Sequence, residues 1–122
     1  MAVNEGTITK KDADFFIEMT SNFDPISGEN KYFNRNNYYK ILDKRESEDF
    51  QRFIRIYNAI KHILKERQRQ ILDELYGVYK PRMTLKKVGE IHGVRSSRIR
   101  RIRVDAERDL KRYVRRLPKK QN

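Results

Sequence analysis

Apolar residues recur through the middle of the chain with the period of a helix. Phe50, Phe53, Ile54, Tyr57, Ile60, Ile63 and Leu64 stand at offsets 0, 3, 4, 7, 10, 13 and 14, a spacing that gathers side chains on one stripe of an α-helix. Ser47 precedes the stripe, with Glu48 and Asp49 directly behind it, which suits a capped helix N-terminus with acidic residues near its positive end. Ile71, Leu72, Leu75 and Tyr76 predict a further helix that ends at Gly77, because a left-handed cap favours glycine. Pro81 supports a loop over residues 78–83. Thr84 then caps a short helix over Leu85–His92, and Gly93 breaks it. A last helix is expected over Ser96–Arg116, with Ile99, Ile102, Ala106, Leu110, Tyr113 and Val114 inward, until Pro118 stops it.

Ahead of residue 47 the pattern is weaker. Residues 1–10 read as frayed, and a short helix is expected over Lys11–Met19. There Asp12 and Asp14 suit a helix N-terminus, and Phe15, Phe16 and Met19 make one apolar patch. Residues 20–37, TSNFDPISGENKYFNRNN, are dense in turn formers and read as a loop anchored by Phe23, Tyr32 and Phe33. The aromatic group Tyr32, Phe33, Tyr38 and Tyr39 has two readings. It is a platform for stacking single-stranded bases, or, as favoured, it packs the N-terminal segment on the helical core or on a partner protein. No stretch alternates with a period of two, so the expected fold class is all-α, a helical bundle with a C-terminal helix–turn–helix. The expected organisation is an N-terminal segment over 1–46 with a candidate partner contact, a DNA-binding unit over 47–117, and a basic tail over 118–122.

Composition narrows the classes. At 122 residues the chain has the length of one domain and falls short of a large enzyme barrel. The absence of cysteine excludes a disulfide scaffold, a thiolate zinc site and a cysteine nucleophile. No run approaches the ~18 apolar residues of a membrane span, and the N-terminus lacks a secretory layout, so a cytoplasmic, nucleoid-associated protein is expected. The charge is uneven. Residues 1–60 hold nine Lys/Arg and ten Asp/Glu, whereas residues 61–122 hold twenty and seven. The whole excess of the +12 formal charge therefore lies in the second half, the footprint of a polyanion-binding module. A merely solubilising surface or an anionic-membrane patch are the plainer alternatives.

Catalytic and metal chemistry find little support. His62 and His92 stand thirty residues apart with no carboxylate cluster at ligand spacing. None of the five glycines opens a phosphate loop. Glu46, Glu48 and Asp49 cap a helix and make no convincing acid–base dyad. The expectation is a protein that is not an enzyme and carries no metal or cofactor.

The region from Leu85 onward fits the helix–turn–helix mask, which exists because two short helices must cross closely at a fixed angle. Val88 and Gly89 supply the apolar and small residues of the first helix, Gly93 the turn, and Val94, Ile99 and Ile102 the apolar positions after it. His92 departs, standing where an apolar residue is commoner. A recognition helix places its N-terminal side chains against base edges, and arginine on guanine is the commonest specific contact. Ser96, Ser97, Arg100 and Arg101 are accordingly the candidates for base or groove contacts. Arg95, Arg98 and Arg103 are the candidates for phosphate. Lys86 and Lys87, with Thr84 and the exposed amides of the preceding helix start, are candidates for the DNA backbone. Each arginine of this helix has a plainer reading as a solvated charge or an intrahelical pair with Asp105, Glu107 or Asp109, and for Arg108, Arg112 and Arg115 that reading is favoured.

Arg67, Ile71, Leu72, Tyr76 and Gly77, then Thr84, Leu85, Val88, Gly89 and Val94, then Arg98, Ile99, Arg100 and Ile102 follow an ordered pattern. In that pattern residues 50–113 resemble region 4 of the sigma-70 family of bacterial RNA polymerase sigma factors. The resemblance implies a module that reads the −35 promoter element in the major groove and docks on the flap of the polymerase β subunit, using the helices around Phe53–Tyr76. The family usually has Arg-Glu where this chain has Ser96 and Ser97, and often Gln and Glu where it has Arg101 and Arg103, so the usual −35 hexamer is not carried over. The 49 residues before the match do not resemble the −10-reading region, which points to a truncated, regulator-like relative of phage or mobile-element origin. The implied partners are double-stranded DNA and RNA polymerase, with a homodimer left open. Two other readings stay open: a DNA-binding repressor or phage replication or packaging factor without polymerase contact, and a polymerase-binding protein that diverts the host sigma factor.

Overall fold

The computed structural model describes residues 5–21 and 36–119. Among these residues five α-helices follow one another: α1 Lys10–Met19, α2 Glu48–Ile60, α3 Glu66–Tyr76, α4 Leu85–His92 and α5 Ser96–Arg116. Short 3₁₀ turns stand at Glu5–Thr7, Asn37–Lys40 and Lys61–Ile63. The fold is all-α as expected, and α4 and α5 have the limits that their caps and periodicity predict. Phe23, Tyr32 and Phe33, expected as loop anchors, lie outside the described residues.

α1 begins where Thr9 and Asp12 close a reciprocal capping box. The Thr9 hydroxyl accepts from the Asp12 amide at 3.0 Å, and the Asp12 carboxylate accepts from the Thr9 amide at 3.2 Å. Such boxes satisfy two helix-end donors together. The same carboxylate pairs with Arg52 at 2.9 Å and Arg55 at 3.1 Å, so it also ties α1 to α2. Burial pushes its pKa up, but the Thr9 amide, Arg52 and Arg55 outweigh burial and leave it below the ordinary carboxylate value. A carboxyl depressed in the folded state contributes stability that is present above its unfolded value and lost as pH falls through its folded value. Asp12→Asn is therefore expected to flatten the loss of stability below about pH 4, as read from urea midpoints between pH 2 and 6. An unchanged acid limb would show that Asp12 carries none of it.

The apolar stripe from Phe50 to Leu64 is not one helix. Ser47 caps α2, its hydroxyl accepting from the Phe50 amide at 3.1 Å, but α2 ends at Ile60. A 3₁₀ turn follows, and Leu64 is extended at φ −81 and ψ 153. Ile63 and Leu64 still touch the core, so the spacing of apolar residues runs on while the backbone reverses to send α3 back across it. Gly77 ends α3 in the left-handed region at φ 75. The guanidinium of Arg45 donates to the carbonyls of Gly77 and Lys80 there, pinning the chain before α2 onto the loop between α3 and α4.

A single apolar cluster joins all parts. It takes Ile8, Ala13 and Phe16 from the N-terminal segment, Tyr38, Ile41 and Leu42 from the turn before α2, and the inner faces of α2, α3, α4 and α5. Phe16 stacks on Phe53 at 5.4 Å, and Tyr38 and Tyr57 meet Tyr76 edge-on at 5.1 and 5.0 Å. The described residues before 47, 5–21 and 36–46, are therefore part of the bundle. Tyr38 is fully buried, so of the two readings of the aromatic group the packing one holds for it.

Candidate nucleic-acid interface

The helix–turn–helix is built on one close approach. A Cβ added at Gly89 would lie 2.6 Å from the Val94 carbonyl oxygen and 3.4 Å from the Ser96 amide nitrogen, so only glycine lets α4 meet the start of α5 there. The Val94 amide closes the turn onto the Gly89 carbonyl at 2.9 Å, and Gly93 provides the left-handed residue at φ 70. Val88 and Ile99 are fully buried beneath the crossing. His92, the departure from the mask, accounts for itself: its Nε2 lies 2.7 Å from the Glu74 carboxylate, so a polar contact to α3 replaces the apolar one.

On this frame the predicted contact residues divide. Thr84, Lys86, Lys87, Arg95, Ser96, Ser97, Arg98, Arg100 and Arg101 are exposed. Thr84 uses its hydroxyl to accept from the Lys87 amide at 3.1 Å, so its role is the cap of α4. No ion pair engages Lys86, Lys87, Arg95, Arg98 or Arg100 among the described residues. Arg101 lies 3.7 Å from Asp105 with its side chain 75 % exposed, an exposed pair of the kind that contributes little and yields to a better partner.

Arg103 is a correction. It was expected on phosphate, but its side chain is only 11 % exposed and faces inward. The reason is its register: Ile99, Arg103, Ala106 and Leu110 stand at spacings of four, three and four, the stripe that α5 buries. Its Nη1 donates to the Tyr39 hydroxyl at 3.1 Å, and its Nε lies 3.8 Å from Glu107. Burial works against its charge, yet Tyr38 and Glu107 outweigh that and hold its pKa above the ordinary value. The guanidinium is an internal cation.

Glu107 is the centre of this network, where the sequence offers it only as one intrahelical partner for the arginines of α5. Asn36 donates to its Oε1 at 2.9 Å, while the hydroxyls of Tyr38 and Tyr76 donate to its Oε2 at 2.7 and 2.5 Å. Burial raises its pKa above the ordinary carboxylate value, against the opposing pull of Arg103 and the three donors. The four partners come from the turn before α2, from α3 and from α5 itself, so one carboxylate fixes the roll of α5 against the rest of the bundle. A signal was present: Glu107 stands between Ala106 and Leu110 on the apolar side of α5, four residues after Arg103. What no spacing shows is that Asn36 and two tyrosines converge on it.

Among the described residues no helix is long and apolar enough to cross a membrane. Residues 62–112 match the family model described as Sigma-70, region 4. The match covers the 3₁₀ turn after α2, α3, α4 and most of α5, and starts later than the resemblance read from residue 50. No curated protein and no solved structure matches the chain.

Proposed function

We propose, on the match of residues 62–112 to the Sigma-70, region 4 model of a helix–turn–helix DNA-binding family, that the protein is a sequence-specific transcription regulator that lays the first half of α5 in the major groove and acts with RNA polymerase. The observation that carries the DNA half of this reading is the set of exposed cations that have no ion pair among the described residues, Lys86, Lys87, Arg95, Arg98 and Arg100, gathered at the start of α4 and the start of α5. Four carboxylates elsewhere in the bundle, Asp12, Asp43, Asp73 and Glu74, already have basic partners of their own. Phosphate is the counter-charge that such a surface accepts, releasing counterions as it binds. Ser96, Ser97, Arg100 and Arg101 are assigned to the groove, and Lys86, Lys87, Arg95 and Arg98 to the backbone. The polymerase half of the reading rests on the family alone. On that side α3 offers Glu66, Arg67 and Gln70, since Ile71, Leu72, Leu75 and Tyr76 are buried in the core. The reaction it serves is carried out by the polymerase, with no covalent step assigned to this chain.

The test separates these roles. Arg100→Ala is expected to cost about 1–3 kcal/mol on the preferred site and little on random duplex. Lys87→Ala should weaken binding to every sequence and reduce the salt slope by about one unit. Equal loss of Arg100→Ala on all sequences would reject base reading. Capture of tagged protein from its native cell, with co-purifying subunits identified, tests the polymerase contact. A stable DNA-bound complex lacking polymerase would favour the repressor or replication-factor reading.

A further inference from the structure

The outward face of α5 carries one residue that neither charge nor packing explains. Val104 is 44 % exposed and stands apart from the core and from the partly buried side chains that pack on it. A lone exposed valine is ordinary on a protein surface; its register is what sets this one apart. Ser97, Arg100, Arg101 and Val104 fall at i, i+3, i+4 and i+7. Successive residues turn by 100° on a helix, so these four share an arc of roughly 100°. They span about 10 Å of axis, or about three base pairs. The same spacing is the one through which a homeodomain recognition helix reads the major groove. Ile99, Ile102 and Ala106 turn the opposite side of α5 toward the core, and Asp105, next to Val104 in the chain, is engaged by Arg101 and Arg108. The face therefore offers hydrogen-bond donors at one end and a branched hydrocarbon at the other.

We infer that Val104 is a further specificity residue, one that reads the 5-methyl group of a thymine on the floor of the major groove. That methyl is the only apolar group the four base pairs present there, and small apolar side chains recognise it by contact alone. Val104 is placed one turn beyond Arg101, so the thymine lies beyond the bases that Arg100 and Arg101 contact, toward the C-terminal end of α5. The inference rests on the proposal that α5 enters the groove.

The experiment begins by selecting the preferred site of the full-length protein from a random duplex library. Each thymine of that site is then replaced, one at a time, by deoxyuridine, which removes the methyl and leaves the hydrogen-bonding edge intact. One position is expected to weaken wild-type binding about fourfold, the worth of one buried methyl-sized group. Val104→Ala should bind the thymine site more weakly by a similar factor and be indifferent to deoxyuridine at that position. Its exposed site leaves folding undisturbed, which circular dichroism checks. Wild-type protein indifferent to every replacement, or Val104→Ala as sensitive as wild type, would overturn the assignment while leaving groove entry intact. A library that yields no preferred site would instead remove groove reading itself, and the assignment with it.

Discussion

Glu107→Ala is expected to cost about 3–5 kcal/mol of folding stability, the range measured when one partner of a buried ion pair is removed. Two effects add. Arg103 is left as a buried cation, and Asn36, Tyr38 and Tyr76 lose the acceptor to which all three donate. A domain of this size holds about 5–15 kcal/mol in all, so the variant should show a much lower urea midpoint. Replacing both ends, Arg103→Met with Glu107→Leu, should recover only the share due to the stranded charge, because Asn36, Tyr38 and Tyr76 still lack their acceptor. A loss below about 1 kcal/mol for the alanine variant would mean that water reaches the site and replaces the network. The pH dependence has a definite sign. Burial raises the Glu107 pKa above the ordinary value, so the folded state holds the proton more tightly than the unfolded chain. Stability then falls as pH rises from the unfolded value near 4.3 through the folded one. Glu107→Gln lacks this gain on acidification, and its deficit against wild type should grow as pH is lowered toward about 4. Glu107 and Asp12 thus tilt the acid limb in opposite directions, and the two single variants should separate them.

The second large effect is expected from Gly89→Ala. In an open helix this exchange stabilises by about 1 kcal/mol through propensity. Here the added methyl meets the Val94 carbonyl at 2.6 Å, a backbone atom that no rotamer change can move aside. Overpacking of this kind costs about 1–3 kcal/mol, and relief requires α4 to move away from the start of α5. Specific DNA binding should therefore fall more than tenfold even where the variant is still folded, since a displaced α5 no longer presents Arg100 and Arg101 in the register set by Lys86 and Lys87. Gly93→Ala is the control. Its φ of 70 makes alanine strained, yet nothing lies within 4 Å of the added atom, so a cost of about 1–2 kcal/mol with binding retained is expected. Equal behaviour of the two variants, measured by thermal melts and duplex titration, would show that backbone conformation and not the helix crossing governs the motif.

The limits of α4 and α5 were legible because local rules settle them. Thr84 caps, Gly93 takes the left-handed turn and Pro118 follows the last turn, each acting on neighbours within a few residues. Their exposed basic side chains were legible as well, since α5 sorts them by period. The end of α2 was not. Ile63 and Leu64 prolong the apolar spacing, and periodicity registers which side chains face the core but not where the backbone turns. The burial of Arg103 and Glu107 was not legible either, for a related reason. A charged residue on a helix is assigned to solvent by default, and only the stripe position of Arg103, four residues from Ile99, argued otherwise.

By itself the sequence determined an all-α chain with its positive charge gathered in a C-terminal helix–turn–helix, because hydrophobic period, caps and net charge are properties of short stretches. Only the tertiary structure decided that Arg103 turns inward, that the described residues before 47 share the same core, and that one buried carboxylate, Glu107, holds α5 in place. Those outcomes depend on Asn36, Tyr38, Tyr76 and Arg103 meeting Glu107 across up to 71 residues of chain. No local pattern records such a meeting; it arises when packing withdraws these groups from water together and leaves each to find its partners inside the bundle.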